Sequence, residues 1–234
     1  MNLTSDTDEA AKTFREAMPY PHIVIDEYLP DSVAGAALEE VLDLPHDAWT
    51  WKTAGDGATI SKGSINKFHA LPEVVQNVIL NLYGEDHLRR LRKLTGIENL
   101  TSDPNLLQPE PYLDGGGLHR IERGGRLGIH CDFNTLKTHP HYLRRVNLLL
   151  YLNREWRPEW KGWLQLHHDL VYQAKWVEHA PRFNRAVIFE TSDHSWHGHP
   201  EPLACPADRS RLSIAAYFYV YEKVAPPHRT TKYR

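Results

Sequence analysis

The chain has 234 residues, with Lys+Arg 27 against Asp+Glu 30 and a formal net charge of -3 at pH 7. That length suits one well-filled core, and the charge balance offers no basic field to draw nucleic acid or an anionic membrane, so a small-molecule or protein substrate is expected. Two cysteines, Cys131 and Cys205, build neither a disulfide framework nor a cysteine zinc site, MNLTSDTDEAAKTF lacks a basic-then-apolar leader, and no apolar run reaches a membrane span; a cytoplasmic protein is expected.

In chain order, HIVIDEYL (residues 22–29) reads as a short strand. PDSVAGAALEEVLDL follows, with Val33, Ala37, Leu38, Val41 and Leu42 at helical spacing and Asp31 or Ser32 as N-cap. TAGDGATISKGS has no aliphatic or aromatic periodicity and reads as a loop. Helical pattern then runs from Pro72 to about Gly96, with Gly84 a point of division. From Tyr112 the texture changes. GGGLHRIERGGRLGIHCDF reads as two strands joined through Arg123-Gly124-Gly125, and RRVNLLLYLN, GWLQLHH, AKWVEHA, NRAVIFET and SRLSIAAYFYVYE continue the series. Seven or eight strands without an intervening helix predict a mainly β (α+β) fold, a double-stranded β-helix (jelly-roll) core with supporting N-terminal helices on its outer face. No repeat or second core is visible. Residues 1–234 are expected to form a single domain, with 1–110 mostly helical support and substrate-side loops and 111–222 the catalytic jelly roll.

Histidine is the unusual component, 15 in all, and its placement carries the chemistry. In GRLGIHCDFN, His130 and Asp132 are i and i+2 on an alternating segment, so an imidazole and a carboxylate aim at one point. A facial iron site needs two imidazoles and one carboxylate, leaving the opposite positions open. The third ligand must come from a distant strand, and SDHSWHGHPEPL offers His194, His197 and His199. His197 has the best context, after the apolar run AVIFET and before Gly198, whose missing side chain leaves room. Further on, Arg211 and Ser213 share a face of an apolar strand, a guanidinium and hydroxyl suited to gripping a carboxylate; Arg209 is a nearby competitor.

These segments, HCDF, RRVNLLLYLNREW, HGHP and RLS in that order, resemble the Fe(II)/2-oxoglutarate-dependent dioxygenases, in the branch that looks like the prolyl hydroxylases. The resemblance implies that His130, Asp132 and His197 bind Fe(II) and that Arg211, with Ser213 as helper, pairs with the distal carboxylate of the cosubstrate 2-oxoglutarate. It implies that Tyr151 reaches the same carboxylate, the competing reading being a core aromatic, and that Asn147, on the same face, lines the pocket nearer the metal. Retention of Asp132 implies hydroxylation with O2, or a related oxidation such as desaturation, rather than halogenation. Gly162-Trp163 departs from the usual Gly-Gly, and LQLHH brings His167 and His168 near the expected mouth.

His139 and His141 follow the metal motif and are candidates for substrate contact, while His119 and His199 are the better neighbours for the ligands. His22, His46, His69, His87, His179 and His228 lack metal spacing and read as solvated or capping residues. Substrate choice is expected in the N-terminal helices, the segment 54–64 and the loop after Asp132. The expected substrate is a small molecule or an amino-acid or prolyl group. Two rivals stand beside this reading: a cupin-like metal oxygenase that needs no 2-oxoglutarate, and a non-catalytic jelly-roll binding or sensing module.

Overall fold

The computed structural model describes residues 8–54, 57–167 and 176–233. Its elements run α1 (Asp8–Glu16), β1 (His22–Ile25), α2 (Asp31–Leu42), β2 (Thr50–Lys52), β3 (Thr59–Ile65), α3 (Glu73–Tyr83) and α4 (Glu85–Thr95), then β4 (Gly117–Cys131), β5 (Tyr142–Tyr151), β6 (Leu164–His167), β7 (Trp176–His179), β8 (Arg185–Glu190), β9 (Trp196–His199), β10 (Ser210–Tyr221) and β11 (Lys232–Tyr233). The strands pair antiparallel in the order β1-β8-β5-β10-β4-β9-β6-β7, with β3 and β11 also on β4 and β2 on β3. This is the expected jelly roll. Among the described residues no helix is long and apolar enough to cross a membrane.

Strict alternation along the central strands decides which face holds the core and which faces the cavity. On β10, Leu212, Ile214, Ala216, Phe218 and Val220 join Val146, Leu148 and Leu150 of β5 and Ala186 and Ile188 of β8 in one apolar layer. Against that layer lie Ala34, Leu38 and Val41 of α2, Val75, Ile79 and Leu82 of α3, and Leu88 and Leu91 of α4. The alternate residues, among them Arg211, Ser213, Tyr217 and Asn147, are left to the opposite face. The helices thus cover the sheet from outside and leave the polar set facing inward.

The expected helices form, with two differences in detail. Pro30, not Asp31 or Ser32, occupies the N-cap of α2 and makes no side-chain cap; Asp31 is in the first turn, where its charge favours the helix dipole. Gly84 is extended and separates α3 from α4, and Gly96 closes α4 at φ +75.

Two larger differences shape the pocket. The segment read as loop contains most of β3, whose Gly, Ser and Lys residues have little strand preference of their own. It becomes a strand because β4 offers a free edge, with pairing from Thr59↔Leu127 to Ile65↔Leu118. The glycine-rich segment read as two strands is instead the single 15-residue β4. Gly124 has φ +79, the register against β3 shifts between Ile60 and Lys62, and a Cβ on Gly125 would lie 2.9 Å from the carbonyls of Glu122 and Ile60. A bulge of this kind bends a strand without ending it. The first half of β4 accordingly pairs with β10 and the second half with β9.

Some histidines expected at the surface are interior. His87 is only 2 % exposed; Nδ1 donates to the Leu82 carbonyl at 2.6 Å, Nε2 meets the Tyr28 hydroxyl, and burial pushes its pKa down to about 4. His22 is buried and packs ring against ring with His179 at 5.2 Å.

Asp103, 1 % exposed, accepts from the Asn105 backbone N–H at 2.9 Å, yet burial pushes its carboxyl up to about 7. The folded protein therefore holds a proton that the unfolded chain, with an aspartate pKa near 3.9, releases between about pH 4 and 7. Stability should fall across that window as pH rises. Asp103→Asn, which keeps the acceptor and cannot ionise, is expected to flatten the dependence and gain a few kcal/mol above pH 7. Urea midpoints at pH 4.5, 6 and 8 check this; equal pH slopes in both proteins would refute it.

Candidate metal centre and its pocket

His130 and Asp132 lie at the end of β4, and His197 is placed opposite His130 by the β4–β9 pairing. One ligand atom from each lies within 4.8 Å of the others. Both imidazoles are oriented the same way: Nδ1 of His130 is 2.8 Å from the Gly128 carbonyl, and Nδ1 of His197 is 2.9 Å from that of Ser195. A carbonyl only accepts, so each Nδ1 carries the proton and each Nε2 presents a lone pair. Those Nε2 atoms face the Asp132 carboxylate at 3.5 and 3.3 Å. Two lone pairs and an anion converging in a buried space suit a cation between them, and an imidazole–imidazole–carboxylate set with open positions suits non-haem Fe(II). The donor set therefore fits an iron ion.

Asp132 is anchored on its other side. Its Oδ2 accepts from Arg144 Nη2 and from Asn147 Nδ2, both at 2.8 Å, and Arg144 Nε donates to Asn147 Oδ1 at 2.7 Å. Arg144 is 3 % exposed and lies 3.3 Å over the Tyr217 ring. Burial alone would raise the Asp132 carboxyl, but Arg144, then His197 and His130, hold it well below the usual carboxylate range. Burial, then His197, lowers His130. Both states favour ligation, an ionised carboxylate and a neutral imidazole.

The triad opens into a cavity of about 280 Å³ lined also by Asn147, Arg211 and Ser213. Arg211 is buried at its far end. Its Nε donates to the Gly162 carbonyl at 2.8 Å and Nη2 to the Tyr151 hydroxyl at 3.0 Å. Tyr151 is fully buried, packs in the core and does not line the cavity; its hydroxyl accepts from Arg211. Asn147 does line the cavity, and its amide is committed to Asp132. Gly162, first of the altered Gly-Trp pair, is required: it has φ +74, and a Cβ there would lie 2.4 Å from Leu203 and 3.2 Å from the Arg211 side chain.

Of the other histidines, His119 and His199 line the cavity, whereas His139, His141 and His167 do not. His194 is exposed, and His168 lies outside the described residues. Burial, then Arg211 and Lys62, keep His199 well below its ordinary pKa. Reading by sequence missed several contributors. Lys62 of β3 lines the cavity, Arg144 holds Asp132, and Thr231 and Tyr233 bring the C-terminal segment to the rim. That segment is tied down by Arg229, whose Nη1 donates to the Asp132 carbonyl at 2.6 Å and whose Nε donates to Asp193 at 2.9 Å, and β11 then pairs with β4 at Cys131 and His130. Parity places Arg144, three residues before Asn147, on the opposite face, and only the register irregularity between β5 and β10 turns it inward; nothing in the local sequence flags Lys62 or Tyr233.

The family model of the 2OG-Fe(II) oxygenase superfamily matches residues 116–219. No curated protein matches the chain. Among solved structures, a prolyl hydroxylase from Trichoplax adhaerens, in complex with a hypoxia-inducible-factor peptide fragment, superposes at TM-score 0.62 and 16% identity, covering 90% of this chain and 87% of its own. A Pseudomonas putida prolyl-4-hydroxylase gives 0.60 at 15% identity over 90% of this chain and 98% of its own. HygX from Streptomyces hygroscopicus, with nickel, 2-oxoglutarate and hygromycin B bound, gives 0.58 at 13% identity over 94% and 89%. The matched segment begins at the start of β4 and ends on β10, so it encloses all three metal-ligating candidates and Arg211. The matched segment is thus similar to the 2OG-Fe(II) oxygenase superfamily, and the chain has the fold of the prolyl hydroxylases.

Proposed function

We propose that His130, Asp132 and His197 hold the iron and that Arg211, steadied by Tyr151 and assisted by Ser213, holds the distal carboxylate of 2-oxoglutarate, the enzyme hydroxylating a C–H bond of a small molecule or of an amino-acid or prolyl group. The observation that carries this is the convergence of the three ligand atoms in a cavity whose far end is closed by a buried guanidinium. When bound, iron with 2-oxoglutarate and O2 supplies the oxidising power, one oxygen atom going to succinate as CO2 leaves and the other to the substrate carbon. The chain's own residues do the positioning. The Gly128 and Ser195 carbonyls fix both imidazoles with Nε2 inward. Arg144 and Asn147 occupy Oδ2 of Asp132 and keep the carboxylate ionised and in place. Walls formed by Leu127, Leu149 and Leu164 limit water around the site.

A small or single-residue substrate is supported by the modest cavity, and structures of the same fold hold either a peptide or hygromycin B. The net charge of -3 supports a partner that is neither nucleic acid nor membrane, and two buried unpaired cysteines support a cytoplasmic location. Residues 1–234 are proposed to act as one domain, since β3 and β11 both complete the cavity from outside residues 111–222.

Anaerobic titration of the apo-protein with Fe(II) and then 2-oxoglutarate tests the assignment. The weak visible metal-to-ligand charge-transfer band should develop in the wild type, be absent in His130→Ala and need far more 2-oxoglutarate in Arg211→Ala. Folded, iron-loaded wild type without a band would overturn cosubstrate chelation and favour the cupin-like rival.

A further inference from the structure

One cation at the far end of the cavity has no place in the scheme above. Lys62 projects from β3 opposite Ile121 of β4, and Arg211 of β10 is opposite the same Ile121 from the other side. Residues directly paired in a sheet point to the same face, so Lys62, Ile121 and Arg211 stand abreast and all face inward. The next row, Ser64, His119 and Ser213, repeats the arrangement one step along. Lys62 and Arg211 are two strand spacings apart at the backbone, about 10 Å, and both carry side chains long enough to lean toward the space between them.

The lining bears this out. Lys62, His119, His199, Arg211 and Ser213 all border the same cavity. Among the described residues the Lys62 side chain makes no hydrogen bond or ion pair. His199 is 3 % exposed and neither ring nitrogen has a partner, an expensive state for a buried imidazole unless a ligand completes it. Charge balance points the same way. Four cations, Lys52, Lys62, Arg144 and Arg211, line the cavity against two acidic groups, Asp132, which Arg144 neutralises, and Asp114, so the lining carries an excess of positive charge. Arg211 has Nε and one Nη2 hydrogen committed to Gly162 and Tyr151, whereas a carboxylate offers about four acceptor sites.

We propose that Lys62 is a second cation for the distal carboxylate of 2-oxoglutarate, shared with Arg211, with His199 donating from the adjoining wall, so that dicarboxylate is told from monocarboxylate 2-oxo acids by two charges. This rests on the cosubstrate orientation proposed above. Burial pushes the Lys62 ammonium down to about 8, with Asp132 opposing and Lys52, Arg211 and Arg144 adding to the depression. An unpaired, half-buried ammonium of that kind gains from an arriving carboxylate. Lys62 is thus a specificity-determining residue contributed by the segment that reads as a loop.

The test is calorimetric and needs no turnover. Mn(II)-loaded protein is titrated with 2-oxoglutarate and with 2-oxopentanoate, which carries a methyl group in place of the distal carboxylate. Wild type should prefer 2-oxoglutarate strongly, and Lys62→Met should shrink the ratio of the two dissociation constants by roughly tenfold or more, mainly by weakening 2-oxoglutarate. A merely structural role would weaken both ligands alike and leave the ratio unchanged. Lys62→Gln serves if the methionine variant does not fold. A wild-type ratio retained in a folded Lys62 variant, while Arg211→Met collapses it, overturns the proposal and assigns Lys62 to the substrate side. Failure of wild type to prefer 2-oxoglutarate would instead overturn the cosubstrate orientation itself.

Discussion

His197→Ala is expected to abolish iron-dependent 2-oxoglutarate turnover and to weaken metal binding by at least about 100-fold, since even the outer partners of metal ligands are worth 10–100-fold. The physical reason is that His197 is the one proposed ligand contributed from outside the 130–132 segment. Without it, His130 and Asp132 remain as an i, i+2 pair on one strand, a chelate with no opposing arm. The imidazole is buried against Phe189 at 4.8 Å and His130 at 4.4 Å, so truncation also leaves a void, costing the apo-protein on the order of 1–2 kcal/mol. Metal binding is therefore read separately from folding, as the rise in melting temperature on adding Mn(II) under nitrogen. The wild type should show the rise and His197→Ala should not. His194→Ala, on the exposed side of the same segment, should behave as wild type. A metal-dependent rise preserved in His197→Ala and lost in His199→Ala would move the third ligand two residues along β9.

Arg144→Met is expected to destabilise the apo-protein by about 3–5 kcal/mol, the usual cost of stranding one partner of a buried ion pair. Asp132 would keep Asn147 as its only charge-neutral partner on Oδ2, and the Asn147 carbonyl oxygen would lose its own donor. Part of the loss should return when metal binds, because the cation then supplies the positive charge that Arg144 had supplied. The melting-temperature gain with Mn(II) should thus be larger in Arg144→Met than in wild type. Combining it with Asp132→Asn should cost less than the sum of the two single changes, as expected for groups in contact. Equal destabilisation with and without metal, together with additive single changes, would show that the Arg144–Asp132 contact is not the source of the effect.

The fold was legible in outline because its central strands alternate so regularly. Leu212 to Val220 and Val146 to Leu150 show period two, and that period alone divides a helix-covered face from a cavity face. Parity likewise joined Arg211 to Ser213 and His130 to Asp132. The two failures share one cause. Gly-Ser-Lys sequence in β3 has no strand pattern of its own, and the Gly124-Gly125 bulge looks like a turn until the strands on either side of β4 are known. In both places the decisive hydrogen bonds come from another strand, not from neighbours in the chain.

The same distinction separates the parts of the site. By itself the sequence determined the chemistry available, two imidazoles and a carboxylate at ligating spacing and an arginine with a serine on one face, because side-chain direction at i and i+2 is a local property of extended chain. The tertiary structure brings His197, the histidine that the sequence context favoured, to the other two, and it alone decided that Arg144 neutralises the carboxylate, that Tyr151 supports Arg211 from behind, and that Lys62 and Tyr233 reach the cavity. Those contacts depend on strand order and register, and register is set by how the whole barrel buries its apolar face, a sum over residues far apart in sequence.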